Sequence, residues 1–338
     1  MGCVCPQDAK NNEARNEFYQ NNYEIEQKIR TNKTLMKCLI KLQRKVKEHY
    51  YRKNRNKNLN NENEDEPLTY KHIATNKIDQ KQLEELFKIY PPLNDDIDVE
   101  VRSPAQFSNK VIYFGEWDKK KNLRHGRGIQ IWSDGAKFLG CWKNGKACGK
   151  GKLIHADGDV YDGDWVDDKP SGYGTYIHSD GTRYDGEWKG DKQNGKGKEN
   201  WPDGTSYEGE YVDGKKHGYG IFKWADNSIY KGNFDNNNIH GKGIYAFADG
   251  REYNGDWVKN RLEGKGIFTW PDGRKYNGDY KNDKKEGYGI FEWPDGKKYK
   301  GEWKNGKQHG TGEYYDPDEN TWKKGIWEYG KRIKWIDD

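Results

Sequence analysis

Long apolar runs are missing from this 338-residue chain. A transmembrane helix needs about 20 consecutive apolar residues, so none is expected. No signal-peptide pattern opens the chain. Cysteine is scarce. Cys3, Cys5, Cys38, Cys141 and Cys148 make no disulfide framework and read as reduced thiols of an intracellular protein. Neither sign of charge dominates: 60 basic and 55 acidic side chains leave a net charge of +5. That balance does not suggest a general nucleic-acid binder. Only 32% of the residues are hydrophobic, yet 14% are aromatic. The expected core is therefore a stripe of rings rather than a thick aliphatic interior.

What the chain does have is a period. An aromatic residue stands at Phe138, Tyr161, Tyr184, Tyr207, Tyr230, Tyr253, Tyr276 and Tyr299, each 23 residues after the last. Tyr113 opens an earlier copy 25 residues upstream. A fixed period of this size is the mark of a repeat architecture. Each copy runs aromatic-x-Gly-x-aromatic, as in Tyr253-Asn-Gly255-Asp-Trp257, then a polar turn, then Gly-x-Gly and an alternating stretch, as in Gly264-Lys-Gly266-Ile-Phe268-Thr-Trp270. An Asp-Gly turn such as Asp272-Gly273 closes it.

Period-two alternation puts Tyr253, Gly255 and Trp257 on one face of a strand. The central turn pairs, among them Asn144-Gly145, Asp167-Asp168 and Asn236-Asn237, suit the positive φ of two-residue hairpins. The fold class is then an all-β repeat array: an elongated antiparallel meander of hairpins behind an α-helical amino-terminal segment. Glycine inside a strand costs roughly 0.5–1 kcal/mol against alanine. An aromatic ring laid across the bare glycine backbone is expected to offset that. At about 4.8 Å per strand, nine repeats would span on the order of 80–90 Å.

The units YDGEW…NGKG, YEGEY…HGYG and YKGEW…HGTG resemble MORN repeats, and the resemblance recurs nine times between Tyr113 and Tyr315. Repeat one carries two extra residues in its hairpin loop, and Asn227 replaces glycine in one closing turn. The segment from Trp322 to Trp327 reads as a cap. The resemblance implies a rigid ribbon whose aromatic, glycine-lined face docks a peptide, a helix or another array. The residues expected to line that groove are Trp165, Trp188, Tyr211, Phe234, Trp257, Tyr280 and Trp303; a purely structural use of the same rings is the competing reading. Similar arrays occur in junction-forming membrane proteins, radial-spoke heads of cilia and cytoskeletal proteins of protists.

The expected organisation is residues 1–12 as an acylated amino end, 13–58 as a basic amphipathic helix, 59–103 as linker, short helix and capping strand, 104–320 as the array and 321–338 as the cap. Gly2 is a candidate for N-myristoylation, and Cys3 and Cys5 for palmitoylation. Pro6 stands where the myristoylation motif has Ser or Thr. Two or more acyl chains would give a stable membrane anchor. From Lys28 to Lys57 there are twelve basic residues against one acid, Glu48. Leu42, Gln43, Lys47 and Arg52 within this stretch resemble an IQ motif, which implies calmodulin or a light chain as partner. An anionic membrane surface and a docking site in an assembly are the other readings of the same basic face. A short helix is expected over Asp79–Tyr90, ended by Pro91-Pro92, and a strand over Asp95–Arg102.

No catalytic constellation is found. The Gly-x-Gly pairs recur between strands, whereas phosphate loops need a helix after the glycines. His125, His217, His240 and His309 stand a repeat or more apart, and His155 and His178 share another repeat position, so no metal site is expected. No cofactor and no nucleic acid are implied. The expectation is a non-enzymatic scaffold or adaptor that binds a protein partner, held at a cytoplasmic membrane surface by its amino end. The alternative is a structural part of a ciliary or cytoskeletal assembly; direct binding of anionic phospholipid by the repeats is the weaker third.

Overall fold

A computed structural model of the chain describes residue 84, residues 87–90 and residues 92–336. The candidate acylation residues Gly2, Cys3 and Cys5 and the IQ-like residues Leu42, Gln43, Lys47 and Arg52 lie outside the described residues. Of the short helix expected over Asp79–Tyr90, residues 84 and 87–89 are helical. The described strands fall into two compact units, divided between Ala156 and Asp157.

The first unit holds β1 (Val99–Gln106), β2 (Ile112–Asp118), β3 (Arg124–Ile131), β4 (Lys137–Lys143) and β5 (Lys146–Ile154). Each pairs antiparallel with the next. The expected capping strand is present as β1, a few residues later than its alternation suggested. It covers the open edge of β2 and shifts register between Arg102 and Ala105, where Pro104 has no amide proton to give the ladder. The second unit is a meander of sixteen strands, from Val160–Val166 to Lys331–Trp335. Seven-residue first strands alternate with nine-residue second strands through six repeats; in the seventh the second strand, Lys307–Asp316, has ten residues, and the array closes on Thr321–Glu328 and the last short strand.

The turns form as their residues dictate. Asp167 and Asp168 have φ of 48° and 67°, Asn236 and Asn237 have 49° and 69°, and Asn282 and Asp283 have 48° and 67°. Two successive positive φ values are what a type I′ hairpin needs, and Asn and Asp tolerate them. Asn227, in the place of the closing-turn glycine, takes φ 71° without disturbing its turn.

The hairpins are not plain ladders. In every repeat the register slips just after the first strand's glycine: Gly255 faces Gly266, but Trp257 faces Leu262. Three residues, Glu263 to Lys265, then stand opposite Asp256 alone. This bulge was not anticipated from the alternation, and it decides which side chains meet.

At the array's end Trp327 takes the place of a second aromatic, buried against Tyr299 at 4.9 Å. Trp322 is 48% exposed and covers no glycine. The pattern therefore stops after one strand pair, as a cap should.

Candidate protein-docking face

Each tyrosine that opens a repeat lies across two glycines. An added Cβ on Gly266 would sit 2.4 Å from the Tyr253 ring, and one on Gly255 would sit 2.4 Å from its hydroxyl oxygen. The same holds for Tyr207 over Gly209 and Gly220. The expected ring-on-glycine packing is therefore real, and only glycine leaves room for it. Tyr253 is fully buried. Its hydroxyl donates to the Asp256 carbonyl at 3.0 Å, the carbonyl exposed by the bulge. Tyr161, Tyr184, Tyr207, Tyr230, Tyr276 and Tyr299 repeat that bond, each at 3.0 Å. Burial pushes the pKa of these phenols well above its usual value. Covering a ring of at least 150 Å² is worth roughly 4 kcal/mol, and two strand glycines cost at most about 2 kcal/mol, so the ring wins.

The bulge has its own fastener. The residue between the glycine and the second aromatic turns to the opposite face and reaches the amide between the two glycines of the next strand. Asp164 accepts from Tyr173 N at 3.0 Å, Asp256 from Lys265 N at 3.1 Å, Asp279 from Tyr288 N at 3.1 Å and Glu302 from Thr311 N at 3.1 Å. Sequence reasoning missed this role. Its signal was present in the acid that recurs at Glu116, Asp164, Glu187, Glu210, Asp256, Asp279 and Glu302.

The stripe expected to line a groove stands beside these tyrosines and is mostly core. Trp165 is 5% exposed, Tyr211 2%, Phe234 5%, Trp257 6%, Tyr280 6% and Trp303 7%; Trp188 is half-buried. Each of these rings meets tyrosines edge-on. Trp257 stands 5.1 Å from Tyr253 and 5.6 Å from Tyr230, at 88° and 83°. The indole N–H groups of Trp188, Trp257 and Trp303 donate to Gly174, Gly243 and Gly289 carbonyls at 3.1–3.2 Å. In the second unit, tyrosine and second aromatic thus alternate in a zipper, and its rings have little surface left for a partner.

A second row of rings runs beside the zipper on the same face. Phe222, Trp224, Tyr245, Phe247, Phe268, Trp270, Phe291 and Trp293 follow one another with centroids 4.4–5.7 Å apart. The outer members, Trp201, Trp224, Phe247, Trp270 and Trp293, sit at the closing turns and are half-buried. His178 holds this place in an earlier repeat, where its imidazole meets Asp159 at 3.1 Å. Cations stack on the row: Arg251 lies 4.7 Å from Phe247, Arg274 5.3 Å from Trp270, and Lys216 4.9 Å from Trp201. An open concavity of about 420 Å³ is lined by Glu199, Tyr211, Lys216, Phe222 and Trp224. The half-buried outer members of this row, rather than the zipper, present apolar surface.

In the first unit the opposite face is strapped by the chain that precedes β1. Asp95 meets the buried His125 at 3.0 Å, and Arg127 donates to the Phe87 carbonyl at 3.2 Å while its guanidinium lies 4.8 Å from the Phe87 ring. The Cys141 thiol is buried and that of Cys148 half-buried, and burial pushes the pKa of Cys141 up to about 11. Among the described residues, no three His, Cys, Asp or Glu side chains converge as a metal site would require.

Compared with known proteins, the chain matches the family model described as MORN repeat at residues 113–137, 138–160, 161–183, 184–206, 207–229, 230–250, 253–273, 276–298 and 299–321. No curated protein matches. Among solved structures, a mutant of the TCP10 domain of Danio rerio CPAP is 14% identical with a TM-score of 0.35, covering 62% of this chain and 99% of that one. The Drosophila melanogaster SAS-4 TCP domain, solved with a proline-rich motif of Ana2, is 16% identical with a TM-score of 0.27, covering 56% and 98%. Likenesses this distant carry no argument about function.

Proposed function

This chain belongs to the MORN-repeat family, and on that premise we propose that it is a non-enzymatic scaffold or adaptor whose ring-bearing face docks a protein segment. One observation carries the reading. The outer members of the second aromatic row, Trp201, Trp224, Phe247, Trp270 and Trp293, stay half-buried although the zipper beside them already covers the glycines. Tryptophan and tyrosine rings with accessible surface are enriched among the residues that protein partners use most.

The docking reading is tested with the full chain carrying Trp224→Ala and Trp270→Ala together. Wild type is expected to retain its partners in an affinity capture, and the double variant to lose them while its circular dichroism is unchanged. Equal capture by both proteins would contradict it.

The amino end adds a second proposal, motivated by Gly2, Cys3 and Cys5. Acyl chains there tether the scaffold to a cytoplasmic membrane surface, with the basic stretch around Leu42, Gln43, Lys47 and Arg52 taking up calmodulin or anionic lipid. Gly2→Ala is then expected to move the protein from a detergent-soluble membrane fraction to the soluble one. A pellet that resists detergent in both forms would instead favour a structural part of a ciliary or cytoskeletal assembly.

A further inference from the structure

Lys216 and Lys285 hold the same place in the fifth and eighth repeats. Each faces a tyrosine across the bulge, Tyr211 for the first and Tyr280 for the second. At the first site a carboxylate closes the arrangement. Glu199, from the preceding repeat, accepts from Lys216 Nζ at 3.0 Å and from Tyr211 Oη at 3.0 Å. One acidic oxygen thus satisfies two donors set among Trp201, Tyr207 and Phe222.

At the second site the carboxylate is missing. The residue in the place of Glu199 is Phe268, one repeat before Lys285. The Lys285 ammonium stands among four rings, 5.1 Å from Trp270, 4.8 Å from Tyr276, 4.3 Å from Phe291 and 4.7 Å from Trp303. Among the described residues no carboxylate pairs with Lys285, and no acceptor meets Tyr280 Oη. Burial lowers the lysine's pKa to about 8, and Arg274 nearby adds charge of the same sign. Rings attract a cation but accept no hydrogen bond of full strength, so among the described residues the Lys285 ammonium and the Tyr280 hydroxyl, cross-strand partners, both keep donors without an acceptor.

We propose that Tyr280 and Lys285 receive an acidic side chain of the docked protein partner, which supplies the carboxylate that Glu199 supplies internally three repeats earlier. This rests on the docking reading above and names the chemistry of the partner: an apolar segment lying on Trp270 and Trp293 with an Asp or Glu over Lys285. A charge-assisted hydrogen bond made in a partly desolvated site is worth about tenfold or more in affinity.

The test is a selection from a random twelve-residue peptide library on the full chain, with three variants beside wild type. Lys285→Gln keeps a side chain that the array itself uses at this place, in Gln193 and Gln308. Phe268→Glu installs the side chain found at Glu199, and Trp270→Ala removes the floor. Peptides selected on wild type are expected to carry an Asp or Glu at one position. Their affinity should fall about tenfold on Lys285→Gln, and on Phe268→Glu because the new carboxylate occupies the donors. Peptides that lack the acid yet are lost on Trp270→Ala would overturn the acidic site and leave docking standing. If no peptide is retained, both readings fall. Phosphatidylserine vesicles that bind wild type and not Lys285→Gln would assign the site to lipid and overturn the protein assignment.

Discussion

Trp257 and Trp270 belong to the same repeat and rise from the same face, but they live differently. Trp257 is 6% exposed, wedged edge-on between Tyr253 and Tyr230, with its N–H on the Gly243 carbonyl. Trp270 is half-buried at a closing turn, with Phe268 and Phe291 on its flanks and the cations Arg274 and Lys285 over it. The zipper ring is covered by tyrosines of its own and the preceding repeat, whereas the turn ring meets Phe268 of its own repeat and Phe291 of the next and still keeps part of its surface open. The contrast teaches how a chain with so little aliphatic residue divides its aromatics. One row holds strand to strand across bare glycine, and the other is left as surface for recognition.

The comparison breaks most severely at the glycines. Gly266→Ala drives a Cβ to 2.4 Å from the Tyr253 ring, and a cost above about 4 kcal/mol is expected, in the range of severe overpacking. Because each repeat touches only its neighbours, amide exchange should show protection lost in Glu252–Val258 and Arg261–Thr269 and kept in the first unit. Uniform loss along the array would mean that the repeats do not act locally.

A smaller effect is expected from pH on the cation under the outer row. Burial depresses Lys285 from 10.5 to about 8. Between those values the unfolded chain binds the proton and the folded one does not, so stability rises with pH from about 8 to 10.5, by up to roughly 1.4 kcal/mol per unit before screening. The difference in stability between wild type and Lys285→Gln isolates this group from the other titrations. It should grow in wild type's favour across that window, and a flat difference would mean that the ammonium is solvated.

The bulge fastener should matter least. Asp256→Ala frees the Lys265 amide and is expected to cost about 1 kcal/mol in thermal melts, the value of an ordinary hydrogen bond. Asp256→Asn should cost less than Asp256→Ala, since Asn233 shows that an amide fits this place one repeat earlier, although it gives up the ion pair with Lys242 at 2.8 Å.

Much of the fold was legible in the sequence for a physical reason. Glycine recurs where a ring must cross the backbone, and Asn or Asp recurs where φ must be positive, so both the hairpins and the ring-on-glycine packing follow from residue type alone. The candidate site was less legible. Period-two alternation places Trp257 and Trp270 on one face and cannot tell them apart. Their difference comes from the bulge after Gly255, which brings Tyr230 of the preceding repeat over Trp257 and leaves Trp270 at the margin. Lys285 was invisible for the same reason: nothing local says that four rings from three repeats surround it, or that Phe268 stands where Glu199 closes the matching site.

The central claim is the division of labour between the two rows, and one pair of thermal melts tests it most directly. Trp257→Ala and Trp270→Ala are compared in the full chain. The zipper variant should lose about 3–5 kcal/mol, as large buried aromatics do on truncation, and the turn variant about 1 kcal/mol or less. Equal losses would mean that both rows are core, and the outer row would no longer be free to serve recognition.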